Sequence, residues 1–169
     1  MNYTETGASA FLAQCLDGLS GLAVEVGSLR NTSDAARLSD GWGTLTLAEW
    51  AKQADGTVIT IDIRNREAQL VRVLGVDLMR RVTHRVGDAW PIIAGLDRLP
   101  VFAYLDGPND ADWHLLIAKR LHGTKRIAFD DANEHDLGPK AATALPWLEA
   151  NGYRRVIFDG RHLCLEYDP

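Results

Sequence analysis

Carboxylates recur at spaced points in this sequence, each directly after a short β-rich run. Asp62 closes Val58-Ile59-Thr60-Ile61-Asp62, and Asp88 follows residues 82–86 in Gly87-Asp88-Ala89. Asp106 follows Val101-Phe102-Ala103-Tyr104-Leu105, and Asp130-Asp131 follow Arg126-Ile127-Ala128-Phe129. A carboxylate accepts hydrogen bonds only, so Asp62 can take both hydroxyls of a ribose. Asp88 can accept from a purine amino group or cap the short helix that starts near Trp90, and taken singly the cap is the simpler role. Asp130 and Asp131 can likewise cap a turn, although neighbouring carboxylates repel unless a cation or a proton relieves them. Any one of these acids can be a solvated loop residue. Four successive strand ends that all carry one would converge along a single rim.

The turn after the first β-rich run, Leu22-Ala23-Val24-Glu25-Val26, reads Gly27-Ser28-Leu29-Arg30-Asn31 and continues to Asp40-Gly41-Trp42-Gly43-Thr44. Gly27 permits a sharp turn and a close ligand approach. Alone it is better explained by the turn. Gly41 and Gly43 offer a second close approach before a helix. The loop is not GxGxxG, and Asp62 lies 35 residues beyond Gly27, against roughly 20 in a dinucleotide site. A nicotinamide oxidoreductase is therefore disfavoured.

These residues need elements that aim them the same way. Five near-continuous apolar runs alternate with helical spacing, at Phe11, Leu12, Cys15, Leu16 and Leu19, at Leu45, Ala48 and Ala51, at Ala68, Val71 and Leu74, and over 90–96 and 113–121. Strand-then-helix order predicts a right-handed parallel sheet covered on both faces. Residues 153–158 and 162–167, separated by Asp159-Gly160-Arg161, predict a closing antiparallel hairpin.

Composition sets wider bounds. With 18 basic and 23 acidic residues the net charge is −5, against a generic nucleic-acid binder. Cys15 and Cys164 lack metal-site spacing and fit buried thiols in a reducing compartment. No stretch reads as a signal peptide or a membrane span, so a cytoplasmic protein of one domain over 1–169 is expected.

Taken in order, VEVGS, VITIDI, RVGDAW, VFAYLDG and RIAFDDAN resemble the motifs of class I S-adenosylmethionine-dependent methyltransferases, over about Leu19 to Tyr167. The resemblance implies an α/β, Rossmann-like three-layer sandwich with a mostly parallel seven-stranded sheet and a C-terminal antiparallel hairpin. It implies that Glu25, Gly27 and Ser28 line the methionine end of S-adenosylmethionine, with Gly43 and Asp106 nearby. Asp62 and Ile63 would lie at the ribose, and Asp88 and Ala89 at the adenine. Within the superfamily the chain is most similar to a small bacterial group resembling cation-dependent O-methyltransferases, which implies Mg2+ or another divalent cation at Asp106, Asp130 and Asp131. Such an ion can lower the pKa of an acceptor hydroxyl and aim its oxygen. The sequence departs from the family in an insertion, residues 30–40, that splits the glycine-rich loop, and in carrying little beyond the core. Substrate recognition then falls to its own loops, a second subunit as in a homodimer, or a large partner. Arg30, Arg37 and Trp42 make the long first loop a candidate lid.

His114 and His135 can act as general bases near neutral pH, against the commoner reading of solvent-facing histidines. Asp106 and His114 are the catalytic candidates. The function expected is methyl transfer to an oxygen of a small-molecule acceptor. The alternative is a non-catalytic S-adenosylmethionine-binding module of the same fold.

Overall fold

A computed structural model describes residues 7–28, 43–132 and 138–169. The elements, in chain order, are α1 (Gly7–Leu16), β1 (Leu22–Val26), α2 (Gly43–Gln53), β2 (Thr57–Asp62), α3 (Glu67–Met79), β3 (Val82–Val86) and α4 (Ala89–Ala94). They continue with β4 (Phe102–Leu105), α5 (Ala111–Arg120), β5 (Arg126–Phe129), α6 (Gly138–Ala141), α7 (Ala144–Ala150), β6 (Tyr153–Phe158) and β7 (Leu163–Tyr167). The strands form a seven-stranded sheet in the order β3-β2-β1-β4-β5-β7-β6. β1 to β5 pair in parallel, and β7 joins β5 and β6 in antiparallel sense.

β1 and β4 are buried along their whole length, as expected of central parallel strands with helices on both faces. Strand alternation divides the core in two. Val24, Leu105, Ile127 and Phe129 face Ile117, Leu121 and Leu148 from α5 and its neighbours. Ala23, Val58, Phe102 and Ala128 face Phe11, Leu12, Leu47 and Leu70 from α1, α2 and α3. Cys15 and Cys164 are free, buried and adjacent on this second face.

Apart from shifts of a residue or two at element ends such as β2, which starts at Thr57, the sequence reading differs from the structure as follows. The inward face of α3 is Leu70 and Leu74, whereas Val71 is exposed and so is Ala68. Strand alternation begins one residue later than read in β4 and β7, so His162 belongs to the hairpin turn. No helix was expected between β5 and the hairpin, yet α6 and α7 fill that interval, their prolines at 139 and 146 sitting in the first turn, where a missing N–H costs nothing. Among the described residues no helix is long and apolar enough to cross a membrane.

Candidate functional site

The rim carboxylates converge because the parallel ladder runs one residue past each strand. The backbone N–H of Gly27 donates to Ile61 O at 2.9 Å, Gly87 to Asp62 O at 3.0 Å, Asp106 to Val26 O at 2.9 Å and Asp130 to Leu105 O at 3.2 Å. These ends bound a cleft of about 760 Å³, centred on β1, where the strand order reverses and open α/β sheets take ligands. Gly27 has φ +85°, and a Cβ there would lie 2.4 Å from the Asp106 carbonyl oxygen. Only glycine lets β1 turn this close to β4. Ser28 is buried at the cleft wall, and its hydroxyl has no hydrogen-bond partner among the described residues.

Glu25 sits beneath this turn, 2% exposed. Parallel register sets Thr60 beside it, and Oε2 accepts from Thr60 Oγ1 at 2.6 Å and Thr44 Oγ1 at 2.7 Å. Burial pushes the Glu25 pKa up to about 7, against the lowering effect of the two hydroxyls, with Asp106 and Asp62 adding repulsion. A Cβ on Gly43 would lie 3.0 Å from Glu25 Oε1, so the start of α2 and the acid pack face to face.

Asp62 is also buried. One oxygen accepts from Arg64 N at 2.8 Å, and the other lies 3.5 Å from Arg66 Nε. Ile63, next in sequence, projects into the cleft with 77% of its surface exposed. Asp88 caps α4, accepting from Trp90 N at 3.0 Å, and still lines the cleft with Ala89. Both roles considered for Asp88 are compatible with that position.

The far side of the cleft holds Asp106, Asp130 and Asp131, each offering an oxygen within 4.8 Å of the others. The structure brings a cation of its own to them. Lys140 Nζ from α6 is 2.7 Å from Asp106 Oδ1, 3.0 Å from Asp131 Oδ2 and 3.6 Å from Asp130 Oδ2. Arg161, in the hairpin turn, donates from Nε to Asp131 Oδ1 at 3.0 Å and from Nη2 to Asp130 Oδ2 at 3.2 Å. His162 lies between Asp130 at 3.0 Å and Asp159 at 2.8 Å and stacks on Phe11. Burial works against charge on Asp130 and on His162. Their mutual hydrogen bond outweighs it, helped by Lys140 and Arg161 for Asp130 and by Asp159 for His162. The carboxyl is therefore held far below its usual range and the imidazole above its own.

His114 does not reach this site. Its side chain is fully buried and is not part of the cleft lining. Because a carbonyl only accepts, its Nε2–H donates to Pro108 O, at 2.9 Å. Burial pushes its pKa down to about 4, and a side chain shut away from the cleft has no reacting proton within reach. Its neighbour Trp113 lines the cleft instead. Arg30, Arg37, Gly41, Trp42 and His135 lie outside the described residues. The reading from sequence missed Tyr104, Arg64, Arg66, Lys140 and Arg161, all of which line the cleft. For Lys140 one signal existed, the acidic pair's demand for a cation.

No protein-family model matches the sequence, and no curated protein matches it. Solved structures do. The S-adenosylhomocysteine-bound methyltransferase PaMTH1 of Podospora anserina aligns with a TM-score of 0.68 at 11% identity, over 96% of this chain and 78% of its own. The fold is that of the class I methyltransferases. The C-terminal domain of precorrin-6Y C5,15-methyltransferase from Rhodobacter capsulatus aligns at TM-score 0.55 and 21% identity, covering 94% of this chain and 85% of its own. A Geobacter sulfurreducens SAM-dependent methyltransferase in complex with S-adenosylhomocysteine gives 0.53 and 19%, covering 89% and 64%. At these identities the likeness concerns fold alone.

Proposed function

We propose that this chain is a cytoplasmic, single-domain S-adenosylmethionine-dependent methyltransferase that acts on a hydroxyl oxygen of a small-molecule acceptor. The observation that carries the reading is the cradle beside β1. Gly27 leaves no room for a Cβ, Ser28 presents a buried hydroxyl, and Glu25 and Asp62 line the same opening. Its volume suits a nucleoside-sized ligand. The S-adenosylhomocysteine bound by the two structural neighbours named above supports the same choice.

Glu25 carries the carboxylate that would meet the ligand's ammonium, with Gly27, Ser28 and Gly43 shaping the space around it. Asp62 would accept the ribose hydroxyls. Ile63 offers an exposed apolar face, and Ala89 a small one, to an adenine ring, with Asp88 near its amino group. When bound, S-adenosylmethionine supplies a sulfonium methyl: the acceptor oxygen forms the new C–O bond as the C–S bond breaks and its electrons pass to sulfur. Asp106, on the far side of the cleft, would accept the hydrogen bond of the acceptor hydroxyl and receive its proton.

Calorimetric titration with S-adenosylmethionine and S-adenosylhomocysteine tests the reading, with micromolar binding expected. Asp62→Ala should weaken binding by more than about 1 kcal/mol, the loss typical of a hydrogen bond to a charged group. If the wild type binds neither ligand, the methyltransferase reading falls. Binding without turnover on any hydroxyl acceptor would turn it toward a non-catalytic binding module.

A further inference from the structure

The acids on the far side of the cleft have the spacing of a cation site, and the cation already there belongs to the chain. An ammonium has three donors, and Lys140 Nζ faces three carboxylates at 2.7, 3.0 and 3.6 Å. Only 3% of the Lys140 side chain is exposed, against 23% of Asp106 and 51% of Asp131, so the ammonium is shielded while two of its acids still face the cleft. A divalent ion bound by the same oxygens would sit about 2.0–2.6 Å from each, within contact distance of the ammonium. Two like charges in contact repel strongly, so an ion and the ammonium cannot share that space. Asp130 and Asp131 are also engaged from the other side by Arg161, and Asp130 by His162. The donor set therefore does not fit a resident divalent ion.

The backbone builds this arrangement in. Asp131 takes φ +53°, and a Cβ on Gly138 would lie 2.6 Å from the Asp131 carbonyl oxygen. That close approach seats the first turn of α6 directly on the acidic pair, and Lys140 is two residues further on. We infer that Lys140 is a built-in cation standing where a divalent ion would bind, so that the cleft works without metal and Lys140 is a positioning residue for Asp106. The inference about the acceptor rests on the methyltransferase reading; the inference about the cation does not. A divalent ion selects acceptors that chelate it through neighbouring oxygens. A carboxylate held by lysine selects instead an acceptor that donates a hydrogen bond to Asp106, with no need of a chelating pair.

The test is a titration of the full chain with MnCl2, followed by the electron paramagnetic resonance of free Mn2+. Wild-type protein should leave millimolar Mn2+ unbound. Lys140→Gln, which removes the charge and leaves the acids, should gain Mn2+ affinity by roughly tenfold or more, and Lys140→Arg should not. Micromolar binding to the wild type, lost in Asp131→Asn, would overturn the inference. So would a folded Lys140→Gln protein, judged by circular dichroism, that gains nothing. If Lys140→Gln does not fold, the wild-type and Lys140→Arg titrations decide. S-adenosylhomocysteine titrated in parallel reads the other proposal separately, and wild-type affinity for it should be unmoved by Mn2+.

Discussion

A buried acid that titrates near neutrality makes ligand binding sensitive to pH, and Glu25 is such an acid. In water its carboxyl would ionise near 4.5; burial raises that to about 7. A folded pKa above the unfolded one gives stability that is full below about 4.5 and is lost as pH rises through about 7. A ligand ammonium beside Glu25 favours the charged form and reverses the sense for binding. Affinity for S-adenosylhomocysteine should thus be weaker by about tenfold near pH 6 than near pH 8, with a proton released on binding at the lower pH. Calorimetry in buffers of different ionisation enthalpy measures both. In Glu25→Gln the pH dependence should vanish and the affinity should fall at every pH. A steep dependence that survived the substitution would assign the proton elsewhere.

At the scale of elements, the site depends on how closely two strand ends approach. The Gly27 turn lies against the Asp106 carbonyl, and both its positive φ and the 2.4 Å Cβ distance exclude a side chain. Gly27→Ala must therefore push the β1 turn away from β4 and hold a strained backbone as well. We expect a loss of about 2 kcal/mol or more of stability together with weakened S-adenosylhomocysteine binding, read by urea unfolding and by titration. Ala substituted at Gly18, whose φ is +71° with nothing within 4 Å, is the control, since it carries the strain without the clash. If the two variants behaved alike, the close approach to Asp106 would not matter. The glycine was legible in the sequence as a turn; its contact with β4 was not, because Asp106 lies 79 positions beyond Gly27.

At the scale of the whole molecule, the same sheet supports two cores. Phe102 lies on the α1–α2–α3 face and Ile127 on the opposite one, both fully buried. Phe102→Ala should cost about 3–5 kcal/mol and Ile127→Ala about 2–5 kcal/mol. Because the strands are shared, each should lower a single transition rather than split it. Coincident midpoints by circular dichroism and tryptophan fluorescence check this, with Trp50 packed on one face and Trp90, Trp113 and Trp147 on the other. Separate midpoints would mean that the faces unfold independently.

The alternation of strands and helices, the mostly parallel sheet, the closing hairpin and the acidic strand ends were legible in the sequence, because apolar runs and turn residues are local signals; the order of the strands in the sheet, β3-β2-β1-β4-β5-β7-β6, was not. Three further matters were decided by tertiary structure. Leu70, not Val71, turns inward, since the neighbours of α3 select among faces that a spacing pattern leaves nearly equivalent. His114 is buried and neutral although its sequence surroundings, Asp112 and Trp113, resemble an open helix start. The charge of Asp106, Asp130 and Asp131 is met by Lys140 and Arg161, which arrive on α6 and the hairpin. The acidic pair announces that it needs a cation, but which cation comes depends on where the chain returns.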